Sequence, residues 1–223
     1  MTISASPNPP KNPSHPARMW QALMMSALLL LAMAPLDALE AQSESIGAPP
    51  EAVVERLEEV LIDNMKSSDT MDFQQRFERL RPLLDEIMAI ERMGRYLFGR
   101  DWRDFDPDQR RRFGETFLDL SAATYAGQFD EHNGEAFEPI EVQRQSEDRA
   151  VVRRRLITGS GKKVAFDYLM TRDDAGWQIV TIITDGVSDL AIKRGQYRRV
   201  LDNNGFEAVI EHIRESIDKQ RGD

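Results

Sequence analysis

The chain has 223 residues, 41% of them hydrophobic and 30% charged, which allows one domain with a substantial core and does not fit a disordered protein. Its 38 acidic side chains against 29 basic ones give a net charge of −9, a balance that argues against nucleic acid or an anionic bilayer as a nonspecific partner. No cysteine is present, so disulfides, thiolate metal sites and a lipid-modified cysteine are excluded.

The first fifty residues differ from the rest. A polar, Pro-rich stretch precedes "ALMMSALLLLAMA" (22–34), which is followed by Pro35 and by small residues around Ala38, Ala41 and Ser43. That run is shorter than the ~20 residues a membrane-spanning helix needs, so residues 1–43 are expected to be a cleaved signal peptide. Its removal takes Lys11, Arg18, Asp37 and Glu40 and leaves the charge unchanged. A short linker (44–50), a single domain (51–219) and a charged tail (220–223) are expected to follow.

Within the domain, Val53, Val54, Leu57, Val60 and Leu61 recur at helical spacing and predict a first helix to about Lys66. Asp72 is placed to cap a second helix carrying Phe73, Phe77, Leu80, Leu84 and Ile87, with Pro82 as a bend. A short helix ends near Gly99, and Asp106-Pro107 opens a long one with Phe113, Phe117, Leu120, Thr124 and Phe129 near one face. The period then changes to two, predicting strands over 137–145, 150–158, 162–171 and 176–184, joined by "TGSGKK" and "RDDAGW" as an antiparallel meander. Two helices, 188–202 and 206–219, close the chain around Gly205. Helices, then a sheet, then helices make an α+β fold.

The search for chemistry ends without a catalytic set. Gly186-Val187-Ser188-Asp189-Leu190 departs from a nucleophile elbow at Leu190, and Ser188 is read as a helix cap with Asp189 in the first turn. His132 and His212 each precede a glutamate by three residues, but both read as surface histidines, and no metal or cofactor is expected. "VVRRRL" puts Arg153 and Arg155 on one face of a strand and Arg154 on the other; pairing with acids such as Glu141 competes with a basic patch for a headgroup or an acidic partner. The remaining large apolar residues on the long helix and the strands suit a core, or a container for an apolar ligand.

"MGRYLFGRDWRDFDPDQRRRFGETFLDLSAATYAGQF" followed by "VAFDYLMTRDDAGWQIVTIITDGVSDLAIKRGQYRRVLDNNGFEAVI" resembles the MlaC, or toluene-tolerance, family of periplasmic lipid carriers. Gly94-Arg95-Tyr96, Gly176-Trp177 and Gly186-Val187-Ser188 carry the likeness, while "FDEHNGEAFE" and "DGVSDLAIKR" look closest to its hopanoid-associated HpnM branch. The resemblance implies a twisted four-stranded sheet wrapped by helices, as in NTF2-like or cystatin-like arrangements, around a deep apolar pocket. It also implies a periplasmic, non-enzymatic shuttle that carries a phospholipid or hopanoid between membrane-bound transport complexes of ABC or RND type. By parity the lining is expected from Phe117, Leu120, Val164, Phe166, Tyr168, Ile179 and Ile183, and headgroup or partner contacts from Lys193, Arg194, Arg198 and Arg199. Two alternatives stand beside it: an NTF2-like enzyme using Asp167 or Asp185 as a pocket acid, and an envelope adaptor with a fully packed interior.

Overall fold

A computed structural model describes residues 47–222; the expected signal segment lies outside them. Helix α1 (Pro50–Lys66) starts with Pro50 in its first turn and buries Val53, Val54, Leu57, Leu61 and Met65. Helix α2 (Phe73–Ile87) begins with a reciprocal cap: Asp72 Oδ1 accepts the Gln75 amide at 2.8 Å, and Gln75 Oε1 accepts the Asp72 amide at 3.0 Å. Asp106 and Gln109 repeat this device at the start of the 22-residue α5 (Pro107–Gln128). Between them lie α3 (Ile90–Phe98), which stops at Gly99 with φ 62°, and the single turn α4 (Asp101–Asp104).

The sheet is an antiparallel meander in the order β1 to β5: β1 (Ala136–Ser146), β2 (Arg149–Ile157), β3 (Lys163–Asp173), β4 (Gly176–Thr184) and β5 (Val187–Ser188). The expected four strands, and with them the NTF2-like or cystatin-like outline, are therefore corrected to five. The reason is local. Asp185 and Gly186 both have positive φ, 48° and 82°, and form a two-residue hairpin that turns the chain back on Thr184 and Ile183. Asp185 also ties into β3, with Oδ1 accepting the Ala165 amide at 2.9 Å.

The two expected C-terminal helices meet at Gly205, whose non-helical backbone (φ 81°, ψ −178°) marks the predicted break, and together they make up α6 (Asp189–Arg221). Ser188 caps it, accepting the Ala191 amide at 3.2 Å. The helix also runs into the segment expected to be a charged tail, and the Arg221 guanidinium lies 5.8 Å from the centre of the Phe77 ring.

Helix α5 packs between α2 and α6, and the sheet closes against α1, the α2–α3 junction and α6. That junction fastens to β4 directly: Met88 bridges Ile179, and the Ala89 amide donates to the Ile179 carbonyl at 2.9 Å. Strand β1 forms the opposite edge and is exposed along most of its length, with an irregularity at Ile140 beside Pro139.

An aromatic cluster holds the helical end together, including Phe98 against Phe113 and Phe105 against Phe206, each at 5.0 Å between centroids. Gly94 lies under Trp102, where a Cβ would stand 2.5 Å from the indole carbons. Gly94→Ala is therefore expected to cost about 1–3 kcal/mol through forced repacking. Urea unfolding of the two proteins measures this, and an unchanged midpoint would contradict the packing assigned to Trp102.

Candidate functional site

A cavity of about 340 Å³ lies between α1, α5, the sheet and the start of α6. Leu57 and Leu61 come from α1, Met88 and Met93 from the α2–α3 region, and Phe117 and Leu120 from α5; all are buried. Phe166 and Tyr168 on β3 and Ile182 on β4 form the sheet wall. The wall of α5 also carries Ser121 and Thr124, whose hydroxyls donate to the carbonyls of Phe117 (2.9 Å) and Leu120 (2.8 Å). Each is thereby satisfied within its own helix and makes no demand on a ligand. Burial holds the Tyr125 phenol well above its ordinary range, so it remains a neutral hydroxyl in this wall. The exposed liners, Gln128 and Asp189, mark the open end, with half-buried Thr184 and Lys193 beside them.

Lys193 and Asp189 are the charged residues of the lining, and they face each other, Nζ lying 2.8 and 2.6 Å from the two carboxylate oxygens. The other cations placed by sequence on the same helix turn elsewhere. Arg194 stacks on Tyr96 at 5.0 Å from the ring centre, Arg198 reaches Asp101 at 4.0 Å, and Arg199 is exposed.

Beside the cavity, on the same face of the sheet, sits a polar cluster. Arg154 Nε donates to both Glu58 oxygens, at 3.1 and 2.8 Å, and its terminal nitrogen lies 2.6 Å from Glu58 Oε2. The two side chains are only 9% and 4% exposed. Glu55 takes a further contact at 3.3 Å, and the Tyr168 hydroxyl donates to Glu58 Oε1 at 3.4 Å. Tyr168 thus turns its ring to the cavity and its hydroxyl to the ion pair. Burial pushes the Glu58 carboxyl up to about 7, against the opposing pull of Arg154 and Tyr168. Of the three arginines in the run, Arg153 and Arg155 meet surface acids, Glu141 and Glu138 respectively, as expected of an outer strand face. The buried role of Arg154 depends on a partner 96 residues away and has no local signal.

Four of the residues expected at the lining, Phe117, Leu120, Phe166 and Tyr168, are brought to the cavity; Val164, Ile179 and Ile183 are not. Val164 is on the same face but packs on the core at the start of β3. Ile183 is displaced by a bulge. Leu169 pairs with Thr181 while Met170 pairs with Ile179, so Val180 is an inserted residue. Beyond it the inward phase passes to Ile182 and Thr184, opposite Tyr168 and Phe166, and Ile183 falls on the other face opposite Asp167. Ile179 is fully buried in the core against Met88. The sequence reading also missed the contributions of α1 and of Met88 and Met93, whose apolar spacing is that of any core.

The candidate pocket acids Asp167 and Asp185 do not line the cavity. Asp167 lies 3.8 Å from Arg153, and Asp185 serves the hairpin described above. A larger groove, about 730 Å³, is edged by Arg81, Arg92, Arg95, Arg110 and Arg111 among four carboxylates, several already paired, such as Arg81 with Asp119 at 2.6 Å. Among the described residues no group of three His, Asp or Glu side chains is arranged to hold a metal.

The family model for MlaC protein matches residues 51–215. Among solved structures, a phospholipid-binding protein from Ralstonia solanacearum, determined in complex with a phospholipid, matches with a TM-score of 0.68 at 18% sequence identity. The alignment covers 78% of this chain and 99% of that one, and it establishes a shared fold.

The Glu58 carboxyl titrates higher when folded, about 7 against 4.5, so folding favours its protonated form. The stabilisation this gives is complete below about pH 4.5 and is lost as pH rises through about 7. Relative to Glu58→Gln, the native chain is therefore expected to lose up to about 3 kcal/mol across that window. Paired thermal melts from pH 4 to 8 measure the difference, and a constant offset would contradict it. Arg154→Leu, which removes the cation that pulls this carboxyl down, is expected to move the loss of stability to still higher pH in the same melts, and an unmoved transition would contradict the pairing.

Proposed function

The chain belongs to the MlaC family, and from that premise we propose that it is a periplasmic lipid carrier whose cavity holds the acyl chains of a membrane lipid. The observation that carries the reading is the lining itself: apolar side chains and self-satisfied hydroxyls inside, with polar groups gathered at one open end. The fold shared with a protein described as phospholipid-binding supports it. Residues 1–43, as a signal peptide, would export the chain, and membrane-bound complexes of ABC or RND type would load and unload it.

Energetics suit a carrier. Each methylene buried is worth ~0.8 kcal/mol against water. A bilayer offers nearly the same burial, so exchange between protein and membrane is close to balanced, and a partner complex can set its direction. A phospholipid is the first candidate cargo, and the likeness to the HpnM branch adds a hopanoid as the second. An enzymatic role loses its footing because Asp167 and Asp185 are engaged outside the cavity. The cavity is equally at odds with an adaptor whose interior is fully packed.

Lipid extraction and native mass spectrometry of residues 44–223 expressed in a Gram-negative periplasm are expected to find bound lipid. Thr124→Phe, which adds bulk at a half-buried lining position, is expected to reduce its occupancy roughly tenfold or more while leaving the fold intact. A native protein that extracts clean and takes up no labelled lipid from vesicles would rule the carrier out.

A further inference from the structure

We propose that Lys193 is the phosphate contact of the cavity and that Asp189 is its resident counter-ion, a carboxylate that the phosphate of an incoming lipid displaces. The inference rests on the carrier reading and adds to it the two residues that recognise a phosphate and the exchange between them.

The pair has the geometry of an exchangeable clamp. Among the residues lining the cavity, these two carry the formal charges. The Lys193 side chain is 18% exposed and that of Asp189 71%, so the ammonium sits inside the mouth while the carboxylate approaches it from the solvent side. An ammonium with so little access to water needs an anion beside it, and both Asp189 oxygens fill that need at 2.6 and 2.8 Å. A phosphate carries the same charge on oxygens of similar reach, and it arrives attached to chains that enter the adjoining apolar space.

The exchange leaves neither partner stranded. Asp189 is the first residue of α6, directly after the Ser188 cap, where a carboxylate is favoured by the first-turn amides and is well hydrated. When it releases Lys193 it keeps both. Gln128 and Thr184 also line the cavity and carry side-chain donors. Arg194 and Arg198 lie outside this clamp, against Tyr96 and Asp101. The basic face of α6 therefore divides into one inward ammonium and a set of outward guanidinium groups.

A cargo without phosphate gains nothing by this exchange, since it would leave the Asp189–Lys193 pair intact. The clamp thus selects a phosphate-bearing lipid over a neutral lipid with the same chains. Free phosphate shares the chemistry but lacks the chains.

The test compares uptake of phosphatidylglycerol and of a diacylglycerol with identical chains from vesicles, read by native mass spectrometry on native protein, Lys193→Gln, Lys193→Arg and Asp189→Asn. The native protein is expected to prefer phosphatidylglycerol by roughly tenfold or more, the usual weight of a hydrogen bond to a charged group. Lys193→Gln is expected to lose that preference while still taking up diacylglycerol, Lys193→Arg to restore most of it, and Asp189→Asn to raise it by removing the competing carboxylate. Millimolar inorganic phosphate separates the two sources: competition lost in Lys193→Gln assigns the site to phosphate as such, and no competition with the preference intact assigns it to the lipid headgroup. A preference that survives in Lys193→Gln, with both lipids bound, overturns the clamp and leaves the carrier standing. Uptake of neither lipid by the native protein overturns both.

Discussion

The inserted residue Val180 decides which side chains of β4 look inward. Before it, Ile179 belongs to the core and receives the Ala89 amide from the α2–α3 junction; after it, Ile182 and Thr184 come into line with Tyr168 and Phe166. An unbroken alternation would have turned Ile183 inward in place of Ile182. Because Met88 bridges Ile179 and also lines the cavity, one irregularity both anchors the helical layer on the sheet and leaves a space beside the anchor. The cavity is the gap between a sheet re-phased at one point and the helices it holds.

That feature also marks the limit of what the sequence reveals. Caps, turns and periods are local, so Asp72 and Asp106 announced their helices, Gly99 an end, Gly205 a break, and the β-branched runs four of the five strands. Asp185-Gly186 was legible too, since Asp-Gly between β-forming residues is a strong hairpin signal, although it reads equally as a corner into the following helix. A bulge in "QIVTIIT" has no such mark, because Val180 is as good a strand residue as its neighbours. The Glu58–Arg154 pair is hidden for a different reason: Glu58 lies in a run of acids that looks solvated, and only the approach of α1 to β2 separates it from Glu59.

The residues that carry the family likeness turn out to be structural. Gly94 makes room for Trp102, Gly176 turns at φ 105°, and Trp177 is buried beneath the guanidinium of Arg144 at 5.3 Å. Gly186 completes a hairpin and Ser188 a cap. None of them lines the cavity. A motif of this kind specifies the container and is silent on its contents, which is why the fold was easier to read than the ligand.

Strand β1 bears on how such a protein meets others. It is a long edge strand with Ile140 and Val142 exposed, the kind of surface that invites pairing with another chain. Pro139 lacks an amide to offer, the irregularity at Ile140 interrupts the ladder, and Glu138, Glu141 and Arg144 place charge of both signs along the strand. The sheet therefore ends in an edge that resists templating. Crowding is thus less able to draw copies of the chain into a shared sheet along this edge.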